Sequence, residues 1–193
     1  MGVEYELKFR ATEEILQKID ANTEGPSCVY HMQTTYYDTP DGALSARHYT
    51  LRCRLENGTA ICTLKAPLEG FGRGEWDLPC ENIQQAIPEL CKLGAPEDLP
   101  QLTADGLIPI CGAKFTRIAK TVALQNCTVE LALDRGILTG GDRELPLCEV
   151  EVELKSGQQA YCDAYAAQLA LAFGLEPERK SKFRRALDLY KGE

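Results

Sequence analysis

Glu4, Glu6, Lys8 and Arg10 recur at every second position near the start of the chain, separated by Tyr5, Leu7 and Phe9. In a β-strand successive side chains point to opposite faces, so this spacing predicts one charged face and one apolar face. The pattern returns five times. Arg52 and Arg54 alternate with Leu51, Cys53 and Leu55, and Thr63 and Lys65 alternate with Cys62 and Leu64. Arg73, Glu75 and Asp77 alternate with Gly74, Trp76 and Leu78, Glu130 and Asp134 share one face, and Glu149, Glu151 and Glu153 alternate with Val150, Val152 and Leu154. A charged row on one strand is the ordinary solvent face of an antiparallel sheet. Here the rows sort by sign, and the helical segments carry enough Leu, Ile, Ala and Tyr to cover the apolar faces, which turns the charged faces inward. An interior so charged is too costly to be merely structural. Its carboxylates are hard oxygen ligands for Mg²⁺ or Mn²⁺, and its Arg and Lys side chains offer charge-assisted hydrogen bonds to a polyanion. Together they suit a metal–polyphosphate complex.

The elements that must position these rows are legible along the chain. Thr12 supplies an N-cap for an amphipathic helix over Glu13 to Asp20 that presents Ile15, Leu16 and Ile19. Tyr30 to Asp38 has a strand composition and ends at the turn signal Asp38-Thr39-Pro40-Asp41-Gly42. Tyr49 to Glu56 and Thr59 to Ala66 flank Asn57-Gly58, a pair favoured in two-residue hairpins. After a strand over Glu75 to Pro79, Ile83, Ala86, Ile87, Leu90 and Leu93 recur at helical spacing, with Pro88 expected to bend that helix. Strands are expected around Lys114 to Leu124, Thr128 to Arg135 and Leu147 to Lys155, with a turn at Gly140-Gly141, and helices over Gln158 to Phe173 and Glu178 to Tyr190. About eight strands linked mostly by turns suit an antiparallel sheet curled into a barrel.

The chain has 193 residues, 44% of them hydrophobic and 26% charged, within the range of a single globular domain over 1–193. A net charge of −8 disfavours a stable nucleic-acid partner. No apolar run approaches the roughly 20 residues that span a bilayer, and the start lacks a signal-peptide layout, so a cytoplasmic protein with no membrane partner is expected. The nine cysteines are scattered, with no CxxC, and read as small buried hydrophobes rather than a zinc site or a disulfide framework. The oligomeric state is left open, a homodimer included.

Glu4-Tyr5-Glu6-Leu7-Lys8 resembles the ExExK signature of the CYTH superfamily, the triphosphate tunnel metalloenzymes. Tyr36 to Asp41, Leu51 to Arg54, Thr63 to Lys65, Arg73 to Glu75, Phe115 to Arg117, Glu130 to Gly136, Glu149 to Leu154, and Ser181-Lys182 with Arg185 resemble further family motifs in the expected order. The resemblance implies an α+β fold: an eight-stranded antiparallel β-barrel, or tunnel, with helices packed outside and a C-terminal helical pair. It implies metal-dependent action on a triphosphate-containing small molecule, with Mg²⁺ or Mn²⁺ as cofactor. By matched position it assigns Glu4, Glu6, Glu149 and Glu151 to the metal, with Glu130, Asp134 and Glu153 behind them. Lys8, Arg52, Arg54, Lys65, Arg117 and Lys182 become the triphosphate clamp, with Lys120, of opposite parity to Arg117, in reserve. Lys8 also counts among the catalytic groups with Glu75, which steadies basic neighbours or assists the water, and Glu149 or Glu153, which deprotonates it.

Inorganic triphosphate is the favoured substrate, because no aromatic base-binding pocket is evident near the motifs. A class IV-type adenylate cyclase, a thiamine or nucleoside triphosphatase, and a non-catalytic polyphosphate or nucleotide sensor stand as alternatives.

Overall fold

The computed structural model describes residues 5–68 and 72–193; Glu4 falls outside them. The chain runs β1 (Glu6–Arg10), α1 (Glu13–Asn22), β2 (Ser27–Asp38), α2 (Ala43–Ala46), β3 (Thr50–Glu56), β4 (Thr59–Pro67), β5 (Arg73–Pro79), α3 (Ile83–Lys92) and α4 (Leu99–Leu102). It continues through β6 (Ile108–Ala123), β7 (Cys127–Gly140), β8 (Arg143–Gly157), α5 (Gln159–Phe173), β9 (Glu176–Pro177) and α6 (Lys182–Lys191). The strands form one antiparallel sheet in the order β5-β4-β3-β2-β6-β7-β8-β1-β9. The eight expected strands are joined by the two-residue β9.

Local chemistry accounts for most boundaries. Thr12 Oγ1 accepts from Ile15 N–H at 3.2 Å and starts α1. Asn57 and Gly58 take the left-handed conformation, at φ 49° and 88°, that a two-residue hairpin with native twist needs. The long strands β7 and β8 run on to their hairpin tip, where Gly140 pairs with Arg143, and there the face that carries Asp134 and Glu149 turns apolar at the fully buried Leu138 and Leu147. Helix α3 continues unbroken past Pro88, which lies on its exposed side. The last helix starts at Lys182 rather than Glu178, since Glu176 and Pro177 pair with Arg10 and Phe9, and Ser181 Oγ accepts from Arg184 N–H as the N-cap.

Two apolar clusters cover the convex face. One packs Leu16 and Ile19 of α1 and Cys162, Ala166 and Leu169 of α5 onto Phe9, Val129, Leu131, Leu133, Val150 and Val152. The other packs Ile83, Ala86, Ile87 and Leu90 of α3 and Leu99 of α4 onto Leu51, Cys62, Leu64 and Trp76. These are the apolar partners of the charged rows, so the charged residues occupy the concave face.

Two features differ from the expected barrel. Among the described residues no hydrogen-bonded ladder joins β5 to β1, whose far edge is instead taken at Phe9 and Arg10 by β9. The sheet is a curled, tunnel-like trough rather than a closed barrel. Helix α6 does not lie outside: Ala186 and Leu187 pack with Phe183 against Tyr36, Phe115, Leu138 and Leu147 on the concave side. Gly140 permits this approach, since a Cβ there would strike the Ala186 carbonyl oxygen and the Tyr190 amide nitrogen of α6. Gly140→Leu is expected to lift α6 at a cost of about 1–3 kcal/mol, read as a lowered midpoint in urea unfolding.

Candidate active site

The concave face encloses a cavity of about 490 Å³ walled by β1 to β6, β8 and the start of α6. Its two long walls differ in sign. On the β3–β4–β5 side stand Arg52, Arg54, Lys65 and Arg73; on the β8–β1 side stand Glu6, Glu151 and Glu153, with Lys8 among them. The pairing register sets this opposition, since Glu6 pairs with Glu153 and Lys8 with Glu151, while Thr50 pairs with Lys65 and Lys65 with Glu75. Both sheet edges reach the same space, so the open ladder still yields an enclosed site.

On the basic side, Glu75 steadies its neighbours, at 2.8 Å from Lys65 Nζ and 3.5 Å from Arg52. Arg54 reaches Glu56 at 3.2 Å and the Thr34 hydroxyl at 3.3 Å. Burial lowers the Arg54 guanidinium from its ordinary range, and the adjacent Arg52 lowers it further. Arg52 Nε is buried without a hydrogen-bond partner among the described residues. A buried donor left unpaired is costly, and two crowded guanidinia are relieved by an anion between them.

On the acidic side, Asp134, Glu149 and Glu151 bring carboxylate oxygens within 4.8 Å of one another, all three residues buried. Arg117 binds Asp134 through Nε and Nη2 at 2.7 Å each and also donates to Glu151. Lys182 Nζ lies 2.8 Å from Asp134 and 2.6 Å from Glu151 and also contacts Glu149, and Arg185 donates to Glu149. Burial pushes Glu149 up to about 7, opposed by Lys182 and reinforced by the neighbouring Glu151 charge. Burial would raise Glu151 as well, but Lys182 and Arg117 outweigh it and hold that carboxyl well below the usual range. The same carboxylates hold Lys182 and Arg117 above their ordinary values despite burial. Phe115 forms an apolar floor, its ring centroid 5.4 Å from the Lys182 ammonium and 5.9 Å from the Arg117 guanidinium.

The candidates named from sequence therefore separate by place. Glu6, Lys8, Arg52, Arg54, Lys65, Glu75, Arg117, Glu151, Glu153 and Lys182 face one cavity, while Asp134 and Glu149 lie just behind it under Lys182. Glu130 pairs across the ladder with Glu153, away from the buried trio. Lys120 points out of the concave face and caps the end of α1 through the carbonyls of Asp20 and Thr23. The sequence places Arg73 in a charged row and Arg185 in the terminal-helix motif without giving either a role; Arg73 lines the cavity and Arg185 donates to Glu149. Sequence reasoning missed Phe183, whose ring centroid lies 4.9 Å from that of Tyr36 in the cavity wall.

Hard carboxylate oxygens in this number and spacing fit a divalent cation such as Mg²⁺ or Mn²⁺. A trough of antiparallel strands with opposed acidic and basic walls is a tunnel-like fold. The CYTH domain model matches residues 2–187, and the chain belongs to that family. Over 127 residues it is 35% identical to an inorganic triphosphatase of Haemophilus influenzae, an alignment spanning 64% of this chain and 36% of that relative's length. The fold is similar to that of an adenylyl cyclase candidate from Hippeastrum described as having a dominant triphosphatase activity, with a TM-score of 0.67 at 17% identity, covering 100% of this chain and 97% of the other. It is also similar to an adenylate cyclase candidate from Bacillus halodurans, with a TM-score of 0.60 at 17% identity over 95% and 96% of the two chains. Among the described residues no helix is long and apolar enough to cross a membrane.

Proposed function

We propose that this chain hydrolyses inorganic triphosphate to pyrophosphate and orthophosphate with the help of Mg²⁺ or Mn²⁺. The observation behind this reading is the opposition of the two walls. A basic wall with an unpartnered Arg52 Nε faces an acidic wall across one cavity, and a metal-bound polyphosphate is the ligand that satisfies both at once. The similarity to the H. influenzae inorganic triphosphatase supports the same substrate class.

In this reading Arg52, Arg54, Lys65 and Lys8 hold the phosphate oxygens in one register, and Arg117 and Lys182 bound the acidic side. Glu6 and Glu151, with Asp134 and Glu149 behind, would hold the metal ion, together with Glu4. The ion, when bound, neutralises charge developing on the reacting phosphoryl group. Glu153 lines the cavity whereas Glu149 is sealed beneath Lys182 and Arg185, so Glu153 is the better-placed group to orient the water and take its proton. The water oxygen then bonds to phosphorus, the anhydride P–O bond breaks, and its electron pair leaves with the pyrophosphate. Glu75 acts at one remove, by fixing Lys65 and Arg52.

A nucleotide substrate is the second reading, because Tyr36 and Phe183 line the cavity, so the expectation that no aromatic base-binding pocket lies near the motifs has to be weighed against this pair. Their 4.9 Å separation and 45° tilt close the pair on itself, leaving no slot for a base between them. Inorganic triphosphate therefore remains the preferred substrate.

Incubation with Mg²⁺ or Mn²⁺ and separate samples of triphosphate, ATP and thiamine triphosphate tests this. Orthophosphate and pyrophosphate in equal amounts from triphosphate, abolished by EDTA, are expected. Cyclic AMP from ATP, or binding without turnover, would replace this reading by the cyclase or the sensor. Arg52→Ala is expected to raise KM for triphosphate by about 30-fold or more, the size of a lost charge-assisted contact of about 2 kcal/mol or more. An unchanged KM in steady-state assays would remove Arg52 from the binding wall.

A further inference from the structure

The Lys182 ammonium stands where a cation belongs. Three carboxylates surround it: Asp134 at 2.8 Å, Glu151 at 2.6 Å, and Glu149 in direct contact. These are the same three whose oxygens cluster within 4.8 Å, the oxygen set suited to a divalent ion. Arg117 answers Asp134 and Glu151, and Arg185 answers Glu149, so three cations balance three carboxylates. A divalent ion added to that set would leave excess positive charge in a buried place, which is costly. It can enter at low cost only if a cation leaves.

Lys182 is the cation able to leave. Arg117 is held by paired hydrogen bonds to Asp134, and Arg185 is flanked by Glu149 and by Glu178 at 3.7 Å. Lys182 is a point charge on a flexible four-carbon stem at the first turn of α6, and its side chain already borders the cavity. The space it would enter is lined by Lys8, Arg52, Arg54, Lys65 and Arg73 against Glu6, Glu75 and Glu153, so positive charge outweighs negative there. With the cavity free of anions that move meets repulsion, and with a polyphosphate there it meets phosphate oxygens.

We propose that Lys182 is a tethered place-holder for the metal ion, released only when a polyphosphate receives it, so that the site takes metal and polyphosphate together and rejects free divalent cations. This rests on the triphosphatase reading above and adds an order to it. Metal and polyphosphate affinities are then coupled, and each strengthens the other by the same factor.

Calorimetry with Mn²⁺ and an imido-bridged triphosphate analogue, which is not hydrolysed, separates the cases. In the unaltered protein Mn²⁺ is expected to bind at least about tenfold tighter when the analogue is saturating, within the usual range of such couplings. Lys182→Met keeps the length and removes the charge; it is expected to bind Mn²⁺ alone at least about tenfold tighter than the unaltered protein and to lose most of the coupling. Equal Mn²⁺ affinity with and without analogue would overturn the inference while leaving the triphosphatase reading intact. A Lys182→Met protein that folds by circular dichroism yet binds Mn²⁺ no tighter would also overturn it. If Lys182→Met does not fold, the coupling in the unaltered protein decides. Failure of the unaltered protein to bind either ligand would bring down the triphosphatase reading and this inference together.

Discussion

Glu151→Gln is expected to slow triphosphate turnover by about 100-fold or more, a loss typical of removing one group that stabilises transition-state charge. Glu151 is the one residue of the buried carboxylate trio that also lines the cavity, so it alone can bridge the buried charge and the reacting centre. The amide keeps the shape and removes the negative charge. Phosphate release under saturating triphosphate measures the effect, with circular dichroism to show that the variant is folded. A folded Glu151→Gln protein with kcat within a few-fold of the parent would take Glu151 out of the chemistry.

Asp134→Ala is expected to cost about 3–5 kcal/mol of folding stability, because it removes one partner of a buried ionic network and leaves charge uncompensated. Arg117 and Lys182 both lean on this carboxylate, whose side chain is 0% exposed. A typical total stability is about 5–15 kcal/mol, so the variant stands near the limit of folding. The neighbouring Arg135 provides an internal control. Its pair with Glu13 has side chains 61% and 47% exposed, and Arg135→Ala is expected to cost about 1 kcal/mol or less. Urea unfolding of the two variants compares them directly, and equal effects would contradict a buried network centred on Asp134.

How much of this was legible in the sequence depends on the range of the interaction. Period-two alternation places Arg52, Arg54, Lys65, Glu75, Glu151 and Glu153 on one face, because side-chain direction along a strand is a local property. Parity likewise separates Arg117, which reaches the cavity, from Lys120, which caps α1 on the other side. Asn57-Gly58 and Thr12 mark their turn and cap through their own backbone chemistry. What was not legible depended on distant packing. Nothing local in Lys182 to Lys191 says that this amphipathic helix lies in the trough; the space left by Gly140 and the apolar bed of Leu138, Leu147 and Phe115 decide it. The division of the carboxylates into a sealed pair, Asp134 and Glu149, and the cavity-facing Glu6, Glu151 and Glu153 follows from where Lys182 and Arg185 land. The ladder that β9 adds at Phe9 and Arg10 was not legible either, because two residues are too few to carry a strand signal.

One cavity that holds a metal ion against one wall and a polyphosphate against the other is the requirement on which the proposed chemistry depends. Anomalous diffraction from crystals grown with Mn²⁺ and the imido-bridged triphosphate analogue tests it most directly. The expected result is a manganese peak at Glu151, held with its neighbours Glu6, Asp134 and Glu149, with the phosphate chain lying between it and Arg52, Arg54 and Lys65. Manganese and analogue bound apart from each other, or outside the trough, would contradict it.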